Sequence, residues 1–201
     1  EAAKHEGVKP IVGCEFYVVA DRHRRTFTKE DRDKRYHQLF LAKNPEGYKN
    51  LVKLCSLGYM EGLYGKYPRI DKELILQYHE GLIATTCCIG AMVPQAILRK
   101  SEEEAKKEFE WWYNIFGEDY YIEIQRHSMQ EQDRVNEVLL RWAKEYNVKV
   151  ICTNDSHYVD QKDYNAHDIL LCINTGEKQA TPAIREFAEE GTVMKGGRFA
   201  F

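Results

Sequence analysis

The chain has 201 residues, 43% of them hydrophobic, and a net charge of −3. That length and apolar content suit one domain with a real core, and the mild acidity excludes a chain-wide basic surface, so any polyanion binding has to be local. No apolar run approaches the roughly 18 residues of a membrane span, no segment reads as a signal peptide, and the six cysteines lie mostly in apolar stretches, as reduced cytoplasmic thiols do.

Glu1 to Gly7 reads as the tail of a helix capped by glycine. With no initial Met, and with an end at Gly196-Gly197-Arg198-Phe199-Ala200-Phe201, the sequence is expected to be a piece of a longer protein. Pro10–Val19 is a predicted strand with Cys14, Phe16 and Val18 on one face and Glu15 and Tyr17 on the other. Glu15 reads either as the wet face of an edge strand or as a carboxylate aimed into a polar cavity, where a metal offsets its desolvation. The charged stretch Ala20–Tyr36 is expected to be a mobile solvated hairpin, with phosphate contact as the other reading.

His37 opens the next strand, which runs to Ala42, and Asn44-Pro45-Glu46 caps and starts a helix with Leu51, Leu54 and Cys55 on its apolar stripe. After an aromatic, glycine-rich connection, Asp71 caps a short helix with Leu74 and Ile75 inward. Leu82–Thr86 is a strand that runs into Cys87-Cys88. Adjacent cysteines cannot form an unstrained disulfide, so one is expected to face a site and the other the packing. Ser101 to Glu104 forms a capping box for a long helix whose stripe holds Ala105, Phe109, Trp112, Tyr113 and Phe116. Tyr120–Gln125 is a strand followed by His127, and the register of its Glu123 stays open. Glu131–Tyr146 is a helix, and Val148–Cys152 reads as a buried strand.

That last strand ends in Asn154, Asp155 and His157, polar groups with no reason to follow a core strand unless they face a site. On an extended chain Asp155 and His157 point the same way and suit a divalent metal. Asp163–Ile173 is a helix with Ile169, Leu170 and Cys172 inside. Residues 1–178 are expected to form one domain, and 179–201 a loop leading out of it. The alternation of strands and helices predicts a parallel sheet or barrel. Successive strands then deliver Glu15, His37, Cys88, Asp155 and His157, with His127 as a weaker member, to one face. Mixed Glu, His, Cys and Asp ligands are a metallohydrolase pattern.

The segments Gly7–Glu15, His37–Asn44, Gly47-Tyr48 with Asn50-Leu51, Gly81–Ala84, Thr153–Tyr158 and Ala166–Leu170 resemble the polymerase and histidinol phosphatase (PHP) domain of bacterial DNA polymerase III alpha subunits. The resemblance spans nearly the whole chain. It implies an α/β fold, a distorted (β/α) barrel whose amino-terminal strands lie before residue 1, together with the family's initial His-x-His and Asp-His motifs. It implies up to three divalent ions (Zn, Mn or Mg) on Glu15, His37, Cys88, Asp155 and His157, with His127 near them and Asp155 and His157 catalytic. The chain departs from the family where Ser-Gly-Cys becomes Thr86-Cys87-Cys88 and a common acidic position becomes Met92. The expected function is that of a DNA-directed DNA polymerase subunit, in the bacterial cytoplasm and off the membrane. Its domain acts either as a metal-dependent 3′–5′ exonuclease on DNA or as a metal-braced module docking the polymerase core or other replisome subunits. A standalone sugar-phosphate phosphatase is a third reading.

Overall fold

Residues 1–181 are described by the computed structural model of the chain; most of the expected outward loop, 182–201, lies outside them. The described strands are β1 (Gly13–Val19), β2 (Tyr36–Ala42), β3 (Arg69–Asp71), β4 (Leu82–Thr85), β5 (Tyr120–Ile124) and β6 (Lys149–Cys152). They form one sheet in the order β3-β1-β2-β4-β5-β6. The helices are α1 (Ala2–His5), α2 (Pro45–Met60), α3 (Lys72–Tyr78), α4 (Met92–Arg99), α5 (Glu102–Phe116), α6 (Gln130–Tyr146) and α7 (Tyr164–Thr175).

The all-parallel expectation is corrected at one strand. β2 runs antiparallel to both β1 and β4, whereas β1–β3, β4–β5 and β5–β6 are parallel. The reason is the connection: residues 20–35 hold no helix, and without a crossover the chain returns beside β1 in the opposite sense. Among the described residues β3 and β6 are the sheet's edges, and no pairing joins them into a barrel.

Local chemistry explains most element boundaries. Asn44 Oδ1 accepts from the Gly47 amide at 2.9 Å and Asp71 from the Leu74 amide at 3.2 Å, each satisfying an orphan donor at a helix start. The Ser101/Glu104 capping box is present on α5. Gly47 lies against the 80s turn so closely that an added Cβ would sit 1.8 Å from the Gly81 carbonyl oxygen, and only glycine fits there. Two elements carry too little pattern to be read from sequence: β3 is three residues long, and α4 carries Pro94 in its first turn, where a missing amide costs nothing.

The core forms where the helices cover the sheet. Phe16, Val18 and Phe40 from β1 and β2 meet Phe109, Trp112, Phe116 and Trp142 from α5 and α6. Phe40 stacks on Phe116 at 5.7 Å, and Phe109 tilts against Trp142 at 5.2 Å. β6 is not the buried strand expected. Val148 is buried but Val150 is 41% exposed, because β6 is an edge strand. On α7 only Cys172 of the three expected core residues is buried; Ile169 and Leu170 are exposed.

The charged connection 20–35 is not a free hairpin either. Arg69, with no exposed surface, donates to Gly62 O at 2.8 Å, Arg22 O at 3.1 Å and Arg24 O at 2.7 Å, and pairs with Asp33 at 2.8 Å. Arg22 is also buried and pairs with Asp71 at 2.9 Å and Glu61 at 2.8 Å. A buried guanidinium needs this many partners, and here it finds them in the backbone of the loop it holds.

Candidate metal centre

The antiparallel pairing of β1 and β2 builds the first half of the site. Tyr17 lies opposite His37 in the register, so Glu15 is the diagonal neighbour of His37 on the same face of the sheet. The alternate residues Phe16 and Val18 turn the other way, into the core. Glu15 Oε1 consequently lies 2.8 Å from His37 Nδ1. Because β2 runs backwards, its beginning faces the same edge as the carboxyl ends of the parallel strands. The His37 amide donates to Gly90 O at 3.1 Å, just beyond the end of β4. Cys88 Sγ stands 3.4 Å from His37 Nδ1.

Three strand ends leave the sheet through a left-handed residue. Cys87 follows β4 at φ 57°, Ser128 follows β5 at φ 56°, and Asp155 follows β6 at φ 49°. Non-glycine residues in this region are strained and collect where side chains are held for a task. Asp155 is therefore not on extended chain, and strand alternation is not what sets it beside His157. The chain turns there, and His157 Nδ1 comes back to 2.6 Å from the Asp155 carbonyl oxygen. That contact makes Nδ1 the protonated nitrogen and leaves the ring's basicity at Nε2.

Glu15, His37, Cys88, His127, Asp155 and His157 all line one cleft of about 630 Å³. His127 sits in it differently from the others. Its Nε2 donates to Asn154 O at 2.7 Å, while Nδ1 takes a hydrogen bond from Gln132 Nε2 at 3.0 Å. Both ring nitrogens are engaged, so His127 ties the end of β5 to the turn after β6.

Two residues whose orientation the sequence left open, Cys87 and Glu123, are placed by the structure. Cys87 is buried, and its sulfur lies within 4.8 Å of ligand atoms of both Glu15 and Cys88. Glu123 is 5% exposed and accepts from Thr85 Oγ1 at 2.6 Å and Thr153 Oγ1 at 2.5 Å, joining β4, β5 and the end of β6 beneath the cleft. The period-2 pattern could have shown that Glu123 turns to the face opposite the helix-covered core, which Tyr120 and Ile122 occupy. Its partners come from distant sequence and could not be read.

The electrostatics follow from these contacts. Its hydrogen bond to His37 holds the Glu15 carboxyl below its ordinary value, with His157 adding a smaller pull. His37 is pushed up to about 10, by its contact with Cys88 first and with Glu15 second. The Cys88 thiol is pulled down to about 6, by Cys87 first and then by His37. Cys87 goes the opposite way, raised by Cys88 and by burial. His37 thus touches both the Glu15 carboxyl and the Cys88 sulfur, and Glu15, Cys87 and Cys88 gather their ligand atoms within 4.8 Å, a nitrogen, oxygen and sulfur donor set fit for zinc or a related transition ion. Tetrahedral zinc bond lengths put a nitrogen and a sulfur donor about 3.5 Å apart. The observed 3.4 Å matches that spacing, so the residues fit a metal.

The fold and the strand-end cluster define a PHP-type domain. The PHP domain family model matches residues 1–127, and the chain belongs to that family. Its relatives include DNA polymerase III alpha subunits. It is 46% identical over 181 residues to the DNA polymerase III subunit alpha of Borreliella burgdorferi, covering 89% of this chain and 15% of that protein. The corresponding subunit of Aquifex aeolicus is 45% identical over 181 residues, covering 86% and 15%. That of Thermus aquaticus is 44% identical over 170 residues, covering 84% and 14%. The chain therefore spans about 15% of the length of the curated relatives it matches. No described helix is long and apolar enough to cross a membrane.

Proposed function

We propose that the chain is the metal-binding PHP domain of a bacterial, cytoplasmic DNA polymerase III alpha subunit, and that its cleft hydrolyses the 3′-terminal phosphodiester of DNA. The sheet would be the larger part of a distorted barrel completed by strands outside the chain. The single observation carrying this is that one cleft gathers Glu15, His37, Cys88, His127, Asp155 and His157 from β1, β2 and the ends of β4, β5 and β6.

Glu15, His37 and Cys88 would hold one ion, with Cys87 at hand as a further sulfur donor. Asp155 and His157, which line the same cleft, would complete the set. Bound divalent ions lower the pKa of water and set positive charge against phosphate oxygens. The chain's own residues do the rest. His157, with Nδ1 turned to the Asp155 carbonyl, has Nε2 as the nitrogen that would ligate an ion. The left-handed turn at Asp155 brings its backbone carbonyl to that ring. His127 and Glu123 keep the strand ends from spreading.

The test is an exonuclease assay on the intact polypeptide with a 3′-mismatched primer, in manganese or zinc, beside Asp155→Asn. Cleavage should depend on Asp155; equal activity in both proteins would sink the nuclease reading.

A second reading has an observation of its own. Val150 on β6 and Ile169, Leu170 and Ile173 on α7 are 41–72% exposed, apolar side chains suited to docking a polymerase core or a proofreading subunit. In that case the metal only braces the strand ends, and metal binding without any cleavage would mark it.

A further inference from the structure

A second cleft, of about 770 Å³, opens beside the first and shares Tyr17, His37, Gly90 and Gln95 with it. Its lining is of the opposite character to the carboxylate-bearing centre. Arg32, Lys34 and Arg35 come from the connection after β1, and Arg99 and Lys100 from the end of α4. Of these, Arg32, Lys34, Arg99 and Lys100 enter no salt bridge among the described residues. The two acids in the lining are already answered: Asp33 pairs with Arg69 at 2.8 Å and Arg35 at 3.0 Å, and Glu108 with Lys72 at 2.8 Å. The groove is thus net positive on a chain that is net negative.

Aromatic rings interleave with these cations. Tyr17, Tyr36 and Tyr67 also line the groove. The Arg35 guanidinium lies 3.7 Å over the Tyr67 ring, and Tyr17 meets Tyr67 edge-on at 5.4 Å. The Arg69 clamp holds the connection at Arg22, Arg24 and Asp33, the last of these between Arg32 and Lys34. Cations along a groove with aromatic faces between them are what a single nucleic-acid strand needs: charge for the phosphates and stacking for the bases. A small phosphate monoester would need only the first cleft, whereas a ligand continuing past the reacting group needs a second one of this sign.

From the continuity of the two clefts, the unpaired Lys34, Arg99 and Lys100, and the tyrosines between them, we infer that the second cleft is the track along which a single-stranded DNA end enters the metal centre. This rests on the nuclease reading for what happens at the end of the track, but not for the binding itself.

Binding is measured by fluorescence anisotropy of labelled oligothymidylate of about 12 nucleotides, in chelator so that nothing is cleaved. The wild-type chain is compared with Lys34→Gln/Arg99→Gln/Lys100→Gln and with a control, Lys4→Gln/Lys53→Gln/Lys144→Gln, whose residues line neither cleft. At about 0.7 per single-strand phosphate contact, the groove variant should flatten the salt dependence of log K by about 2 and bind about tenfold more weakly at moderate salt. The control should bind as wild type does. A groove variant with wild-type affinity and salt slope, or a wild-type chain that does not bind, overturns the track. So does displacement of the oligonucleotide by thymidine monophosphate at equal phosphate concentration, which would reduce the cleft to a simple anion site. Groove-dependent binding without metal-dependent cleavage leaves the track standing and removes the nuclease reading alone. Cleavage insensitive to the groove variant does the reverse.

Discussion

Glu15 Oε1 and His37 Nδ1 stand 2.8 Å apart because they are diagonal neighbours across an antiparallel strand pair, in a sheet whose later strands are parallel. Had β2 run parallel to β1 and β4, His37 would open at the other edge of the sheet from Cys88, which follows the end of β4. The contact places a carboxylate and an imidazole on one donor point, with Cys88 as its third member.

If that point is a metal site, Glu15→Gln and His37→Gln should each lower zinc affinity by about tenfold or more, as losing a ligand or its orienting partner does. Competition against a chromogenic chelator reads this directly. Affinity unchanged in both variants would show that the metal is held elsewhere in the cleft.

Removing metal should expose the acid–base state of the cluster. Cys88 has its pKa lowered from 9.0 to about 6, so its contribution to stability is full above 9 and is lost as pH falls through about 6. His37 is raised from 6.5 to about 10, so its contribution is full below 6.5 and is lost as pH rises through about 10. Between about 6 and 10 the metal-free protein therefore carries a thiolate beside an imidazolium. Ultraviolet thiolate absorbance should titrate near 6 in the wild type and lose that step in Cys88→Ser. His37→Gln should move the step upward; an unmoved step would mean that His37 does not hold the thiolate.

Arg69 is the structural anchor of the basic connection. Arg69→Met should destabilise the fold by about 3–5 kcal/mol, because it strands the buried Asp33 carboxylate and three carbonyls that the guanidinium now satisfies. Urea unfolding measures it. A loss below about 1 kcal/mol would mean that water or another cation takes the place of the guanidinium.

Glu123 offers a test beneath the site. Glu123→Leu leaves the Thr85 and Thr153 hydroxyls without their acceptor and should cost about 1–3 kcal/mol for each buried group left unpaired. It should also weaken metal binding, since Thr153 leads into the turn of Asp155. A variant as stable as wild type, with unaltered metal affinity, would show the three strand ends to be held by packing alone.

What the sequence determined by itself was local. The caps at Asn44, Asp71 and Ser101, the apolar stripe of α5 and the core face of β1 all follow from spacing and side-chain chemistry within a few residues. The resemblance carried by the strand-end segments then named the family. The tertiary structure decided everything that depends on which strands are neighbours. The reversal of β2, the exposure of β6 at an edge, the clamp of Arg69 on a loop more than thirty residues earlier in the chain and the engagement of both His127 nitrogens arise from contacts across long sequence separations. The same is true of the site. Glu15, His37 and Cys88 were legible as candidates, but that they share one point, with Cys87 beside them and a basic groove leading in, was set only when the sheet brought those strands together.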